Sequence, residues 1–335
     1  GILEADNFEA KVVSRPLGLQ SWTLYQHLSL PVDARRDGAL VLFCPMYVGP
    51  LFSYNKIVLT LQDISYEACP EVSRNLSLGD QIYLRRVSRW SAKKAAAVLV
   101  PSEFTKREVL KHYTINPHKI CLTRLGVEER FTTCGDANTL TEIRRKYGIR
   151  GKMILFVGAI FSRRHIPELI KAFEALSRKI RGCELIIIGR NYTKPHVDID
   201  GLMSRVNGAR GTSVRRFEMV SDDELVAFYN VADLTIYLSD YEGFGLPVLE
   251  SMACGTPVVT TRRGSLPEVA GDAAIYVSDP TDVNEISEAV HRGLTDKKSR
   301  QALIDKGLER VKKFKWGKCA EETISIIKQV ARREL

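Results

Sequence analysis

The sequence predicts an α/β fold of two doubly wound domains that face each other across a cleft. Three observations predict it. Apolar runs of strand length alternate with amphipathic helical stretches along the whole chain, the rhythm of βαβ units and parallel sheets. The length, 335 residues, suits two domains of ordinary size, and the 44% apolar content fills two cores. A more polar segment, 131–150, parts an N-terminal series of strands from a C-terminal one.

In the first series the strands fall at 39–43, 56–61, 97–100 and 119–123. Ser102 caps a helix that runs to about Tyr113, where Asn116-Pro117 breaks it. In the second series the strands fall at 153–157, 184–188, 213–217, 234–238, 257–261 and 274–277. Helices are expected near 167–180, 222–230, 248–253, 282–294 and 299–313, and a last one follows Phe314-Lys315-Trp316. The boundaries are therefore drawn at 1–140 for an N-terminal domain, 141–313 for a C-terminal domain and 314–335 for a closing helix. Trp316 is expected to staple that helix, Cys254 to pack in the core, and Leu225, Phe228 and Tyr229 to form a buried helix face.

Composition narrows the function classes. No run approaches the ~20 apolar residues of a membrane span, and the acidic start, Gly1 to Asp6, lacks the apolar stretch of a signal peptide. The seven cysteines are scattered, with no Cys-x-x-Cys pair, so neither zinc nor a disulfide framework is indicated and a reducing cytoplasm is expected. The net charge of +9 fits nucleic acid, an anionic membrane or phosphorylated substrates. Its densest part is Arg85, Arg86, Arg89, Lys93 and Lys94, with no acid between Asp80 and Glu103. That stretch reads either as a solvated helix face or as a peripheral patch on the inner face of a membrane. Nucleic acid is disfavoured, because no helix-turn-helix, aromatic-basic ribonucleoprotein motif or zinc finger is visible.

Residues 241–257 carry the most chemistry. Glu242 and Glu250 stand eight residues apart, separated by the turn Gly243-Phe244-Gly245 and by Pro247, a good first-turn residue for a helix. A helix start exposes unpaired N–H groups and a partial positive charge, which suits a phosphate. Glu250 is expected in the first turn, where it fits the dipole and can accept two hydroxyl hydrogen bonds. Phosphate donors beside diol acceptors describe a site for a sugar nucleotide. Two more loops open on the same edge of the sheet: Gly158 to His165 after the first strand of the second series, and Glu218 to Ser221 after the third.

These residues resemble the family-4 glycosyltransferases, retaining enzymes of GT-B fold, and in particular bacterial polysaccharide mannosyltransferases. The likeness spans roughly 20–330 and rests on Glu242-x7-Glu250 continued through Ser251-Met252-Ala253-Cys254-Gly255-Thr256-Pro257. It is extended by Gly264-Ser265-Leu266-Pro267-Glu268-Val269-Ala270-Gly271, Ser221-Asp222-Asp223-Glu224-Leu225 and Pro101-Ser102-Glu103-Phe104-Thr105. The resemblance implies a donor site on the second domain and an acceptor on the first. It places Arg163 and Arg164 on the diphosphate, Glu242 under the sugar and Glu250 on the ribose. Gly158 and the Gly243, Phe244, Gly245 and Leu246 turn would face the phosphates or sugar, with Val220 near the base. It implies no metal: a unit charge 4 Å away contributes on the order of 4 kcal/mol at a dielectric of ~20, so two arginines and a helix terminus can hold the leaving group.

Two departures qualify the likeness. Where the family often has His-Asp, this chain has Gln62-Asp63, and Gln hydrogen bonds a sugar without carrying charge near neutrality. The family's opening strand, glycine loop and helix are not found, so the N-terminal domain is expected to lack its first strand and helix. His165 is expected as a plain loop residue. Glu268 is either a site residue or a helix start. The reading is a hexosyltransferase, mannose from GDP-mannose favoured, acting on a saccharide or lipid-linked acceptor. The alternatives are a UDP-sugar enzyme of the same family, a sugar-nucleotide epimerase, or a non-catalytic subunit that pairs with a partner.

Overall fold

A computed structural model describes residues 22–332, apart from 75 and 208–212. Among the described residues, ten strands form two parallel sheets. In the first, β1 (Val41–Cys44), β2 (Lys56–Thr60), β3 (Ala97–Val100) and β4 (Ile120–Leu122) lie side by side in chain order. The second contains β5 (Met153–Val157), β6 (Glu184–Ile188), β7 (Ser213–Phe217), β8 (Leu234–Tyr237), β9 (Val258–Thr261) and β10 (Ala274–Val277), in the order β10-β9-β8-β5-β6-β7. Both β5 and β6 are buried at every position, as strands covered by helices on both faces must be. Those mostly apolar runs are why both strands match their expected bounds residue for residue; β7, Ser-Val-Arg-Arg-Phe and half-buried at the sheet edge, matches its bounds without such a run. The edge strand β1 is only half-buried and lies two residues later than expected at its start.

The polar segment 131–150 is not a plain connection. It contains a helix, Ala137–Lys146, capped by Asp136, whose carboxylate accepts from the N–H groups of Asn138 and Thr139. A second unexpected helix, Ile199–Asn207, buries Ile199, Met203 and Val206. The family's opening strand and helix concern residues outside those described.

The closing helix, Trp316–Arg332, crosses back onto the first sheet. There Val330 is fully buried with Val58, Ala97 and Leu99, flanked by Ile326 and Ile327, and Lys56 Nζ donates to the Val330 carbonyl at 2.6 Å. Trp316 does not staple this helix, because it is 42% exposed. The neighbouring Phe314 anchors it: Phe314 is buried, its ring meets Phe244 edge-on at 5.7 Å, and its carbonyl accepts from Val127 N–H at 3.2 Å.

The domains meet along a seam of directed contacts. Ser102 Oγ donates to the Gly243 carbonyl at 2.7 Å, and Phe104 packs edge-on against Tyr241 at 5.0 Å. Glu268 resolves its two readings here. Its carboxylate accepts from the N–H groups of Glu103 at 2.8 Å and Phe104 at 2.6 Å, so it caps the helix Glu103–His112 of the opposite domain.

Candidate active site

In the second sheet β5 and β8 are neighbours although two strands, β6 and β7, come between them in order of synthesis. The chain reverses its winding there, and such a switch point opens a crevice beyond the carboxyl ends of the strands. The loop after β5 and the loop after β8 both empty into it.

The loop after β5 starts at Gly158, whose N–H is held by the Ile188 carbonyl at 2.9 Å, and then winds into a short turn, Ser162–Arg164. The turn ends at His165, in the left-handed region at φ 50°. His165 is not a plain loop residue: it is buried, and Nε2 meets Asp240 Oδ2 at 2.8 Å, tying this loop to the one after β8. The turn thereby aims both arginines at one carboxylate. Arg164 Nε donates to Glu242 Oε1 at 2.9 Å, and Arg163 Nη2 lies 3.6 Å from the same oxygen. Ser239 Oγ donates to it as well, at 2.9 Å. Each arginine has a further anchor, Arg163 Nε on the Tyr241 carbonyl at 3.0 Å and Arg164 Nη1 on the Ala159 carbonyl at 2.9 Å.

Glu242 is only 9% exposed. Burial alone raises a carboxyl pKa, but the charges of Arg164 and Arg163 and the hydrogen bonds outweigh it and hold Glu242 below its ordinary value. The cluster therefore stays ionised with a net positive charge, a fixed field facing the crevice.

The turn beyond Glu242 needs its glycines. A Cβ on Gly243 would stand 2.2 Å from the Gln62 carbonyl oxygen and 2.8 Å from Asp63 Cβ, so the second domain touches the first backbone to backbone at this point. Gly245 caps the helix Leu246–Ala253 at φ 116°, a region that L side chains rarely adopt. The N–H groups of Phe244 and Gly245 find no acceptor among the described residues.

Glu250 is not in the first turn. It is the fifth residue of that eight-residue helix, so the dipole is not what holds it. Tyr229 Oη donates to Glu250 Oε2 at 2.8 Å, from the helix Asp222–Val231. Burial pushes the Glu250 carboxyl up to about 7, with the Tyr229 hydrogen bond working against the shift. Tyr229 lies on the expected core face and is buried. The sequence carries no sign that its hydroxyl reaches the site, because the contact joins two helices whose packing is set by the whole sheet.

Gly158 and Val220 line one cleft of ≈ 390 Å³ with Gly189, Tyr192 and Met219. Gln62 and Asp63 lie across the seam, against Gly243. Asp63 Oδ1 accepts from the Ser65 N–H at 2.9 Å. The basic stretch lies on the helix Leu78–Lys94 and divides. Arg85 reaches Ser73 Oγ at 2.9 Å and Arg89 pairs with Glu67, while Arg86, Lys93 and Lys94 stay exposed, Lys94 lying over the Trp90 ring at 4.5 Å. No helix among the described residues is long and apolar enough to cross a membrane.

Known proteins share this architecture. Residues 140–310 match the family described as glycosyl transferases group 1. Over 290 residues the chain is 32% identical to the O-antigen chain mannosyltransferase B of Escherichia coli, covering 84% of this chain and 74% of that protein. It is 25% identical to the serotype-specific mannosyltransferase WbdA of Escherichia coli, over 90% of this chain but only 40% of that protein. Among solved structures, WaaG, a glycosyltransferase involved in lipopolysaccharide biosynthesis, superposes with a TM-score of 0.70 at 19% identity, covering 89% of this chain and 80% of that one. Sucrose-phosphate synthase from Thermosynechococcus elongatus superposes at 0.71 with 20% identity, covering 90% and 76%. At such identities the superpositions establish the fold, which is GT-B.

Proposed function

The chain belongs to the group 1 glycosyl transferases, and we propose that it is a retaining enzyme that moves mannose from GDP-mannose to a saccharide or lipid-linked acceptor. The observation that carries the reading is the convergence of Arg163, Arg164 and Glu242 at the switch point, beside the free N–H groups of Phe244 and Gly245.

As the bond to the sugar breaks, negative charge grows on the departing diphosphate and positive charge on the sugar. The two arginines and the turn at Gly243 to Leu246 oppose the first. Glu242, kept ionised, opposes the second. Glu250 accepts the ribose hydroxyls once it is ionised, and the cleft at Val220 takes the base. Gln62 and Asp63 flank the sugar from the first domain. The departing phosphate takes the acceptor proton, so no protein base is assigned. The arginines do the work of a metal, so the rate should be unchanged in EDTA. The choice of mannose is supported by the names of the curated relatives.

Transfer and hydrolysis are measured with GDP-mannose, UDP-glucose and UDP-galactose, with the anomeric configuration of the product read by NMR. Turnover of GDP-mannose with retention is expected. Turnover of a UDP-hexose alone would overturn the donor assignment, an inverted product would overturn the mechanism, and solvent deuterium in recovered sugar would point to an epimerase. The exposed Arg86, Lys93 and Lys94 support peripheral contact with anionic membrane, checked by cosedimentation with phosphatidylglycerol vesicles.

A further inference from the structure

A second cavity, of ≈ 710 Å³, opens on the domain seam and shares no lining residue with the arginine–glutamate cluster. Its size falls in the range of small-molecule sites. Its walls come from both domains and from the crossover between them. Arg107 stands on the helix Glu103–His112, Arg124 on the loop after β4, and Arg310 near the end of the helix Lys297–Val311. Lys313, Lys315 and Lys318 follow on the crossover and the closing helix, with the buried Phe314 among them.

Six cations here face three carboxylates, Glu103, Glu268 and Glu322. Two of the three are already engaged. Glu268 caps the helix of the other domain and lies 3.6 Å from Arg107, and Glu322 lies 3.9 Å from Lys318. Arg310 is turned onto backbone, its Nε donating to the Val269 carbonyl at 2.8 Å and its Nη2 to that of Glu268. That leaves the side chains of Arg124, Lys313 and Lys315 without an ion-pair or hydrogen-bond partner among the described residues, around one concave space. Cations that converge in excess of the carboxylates around them repel one another, and a multiply charged anion relieves that excess at once. Phosphate matches the forked donors of arginine and the point charge of lysine better than a single carboxylate does.

We propose that this cavity binds a phosphate-bearing ligand with two or more negative charges. Arg124 belongs to the first domain and Lys313 and Lys315 to the crossover, so the ligand would also pin the two together. The phosphate would come either from a free soluble metabolite or from a lipid headgroup.

The full chain is titrated calorimetrically with inorganic pyrophosphate in saturating GDP, alongside the variant Arg124→Gln/Lys313→Gln/Lys315→Gln. All three side chains are exposed, so the variant should fold like the parent. Pyrophosphate should bind the parent with GDP present, and the variant about tenfold or more weakly, with GDP affinity unchanged. Equal pyrophosphate binding by parent and variant, or none by the parent, would overturn the proposal. Failure of GDP itself to bind would sink the donor assignment and leave this comparison readable. Vesicles of phosphatidylglycerol and of phosphatidylcholine separate the sources. Sedimentation with the first alone, lost in the variant, assigns a headgroup. Pyrophosphate binding without sedimentation assigns a free phosphate.

Discussion

Glu242 and Glu250 belong to one short segment and are held in opposite ways. Glu242 ends a loop, buried between two guanidinium groups and a serine hydroxyl, and is kept below the ordinary carboxylate range. Glu250 stands inside a helix, half-buried against a tyrosine hydroxyl with no cation within ion-pair distance among the described residues, and is pushed up to about 7. Burial acts on both in the same direction, and the partner decides the outcome. The loop acid is a fixed charge. The helix acid titrates near neutrality and is charged on demand.

Removing a counter-charge from Glu242 tests the comparison most severely. Arg164→Met leaves a buried carboxylate with Arg163 alone, and breaking a buried pair this way costs roughly 3–5 kcal/mol. Urea denaturation should show that loss, and kcat should fall about 10²–10³-fold. The double change Arg164→Met/Glu242→Leu should recover much of the stability and none of the activity. A stable, active single variant would break the contrast.

The next effect is one of pH. Because Glu250 is protonated below about 7 in the free protein, a nucleotide that needs its carboxylate should bind more tightly from pH 6 to pH 8. The slope approaches about tenfold per pH unit on the acid side, and Glu250→Gln should flatten it and weaken binding at pH 8. The sign for folding is the reverse. A folded-state pKa raised above the unfolded value means that the native state holds the proton more tightly. Glu250 therefore costs stability progressively as pH rises from about 4.5 to about 7, and saturating nucleotide should offset that loss. Glu242, with its lowered value, contributes in the opposite sense and should be lost only in acid. Equal slopes for the parent and Glu250→Gln would remove the ribose assignment.

Tyr229→Phe is the mildest change. It removes one hydrogen bond, worth about 1 kcal/mol, and with it the influence that works against the upward shift of Glu250. The midpoint of the binding–pH curve should move to higher pH, with affinity at pH 8 nearly unchanged. A midpoint that stays put would mean that Tyr229 only packs.

Much of this was legible in the sequence. Strands β5 and β6 were, because parallel strands buried on two faces leave nearly unbroken apolar runs. The turn at Gly243 to Pro247 was, because its glycines answer a backbone contact with Gln62 and a left-handed cap. What stayed hidden depends on packing between distant elements. Glu268 caps a helix 165 residues earlier in the chain. Tyr229 looks like core because it is core, and its hydroxyl serves the site only through the angle at which two helices meet. The position of Glu250 was misjudged by less than a turn, since Pro247 marks the helix start but not the residue at which it begins.

The return of the last helix onto the first sheet has a consequence for how the molecule is made. Val58, Ala97 and Leu99 wait for Ile326, Ile327 and Val330 to cover them. Roughly two hundred residues separate β4 from that helix, and ribosomes add about 5–20 residues each second. One face of the first sheet therefore stays uncovered for roughly ten to forty seconds of synthesis, while the second domain, whose core draws mainly on later residues, has time to form. The first domain to emerge would be the last to finish, which makes its bare face the natural place for a chaperone to hold.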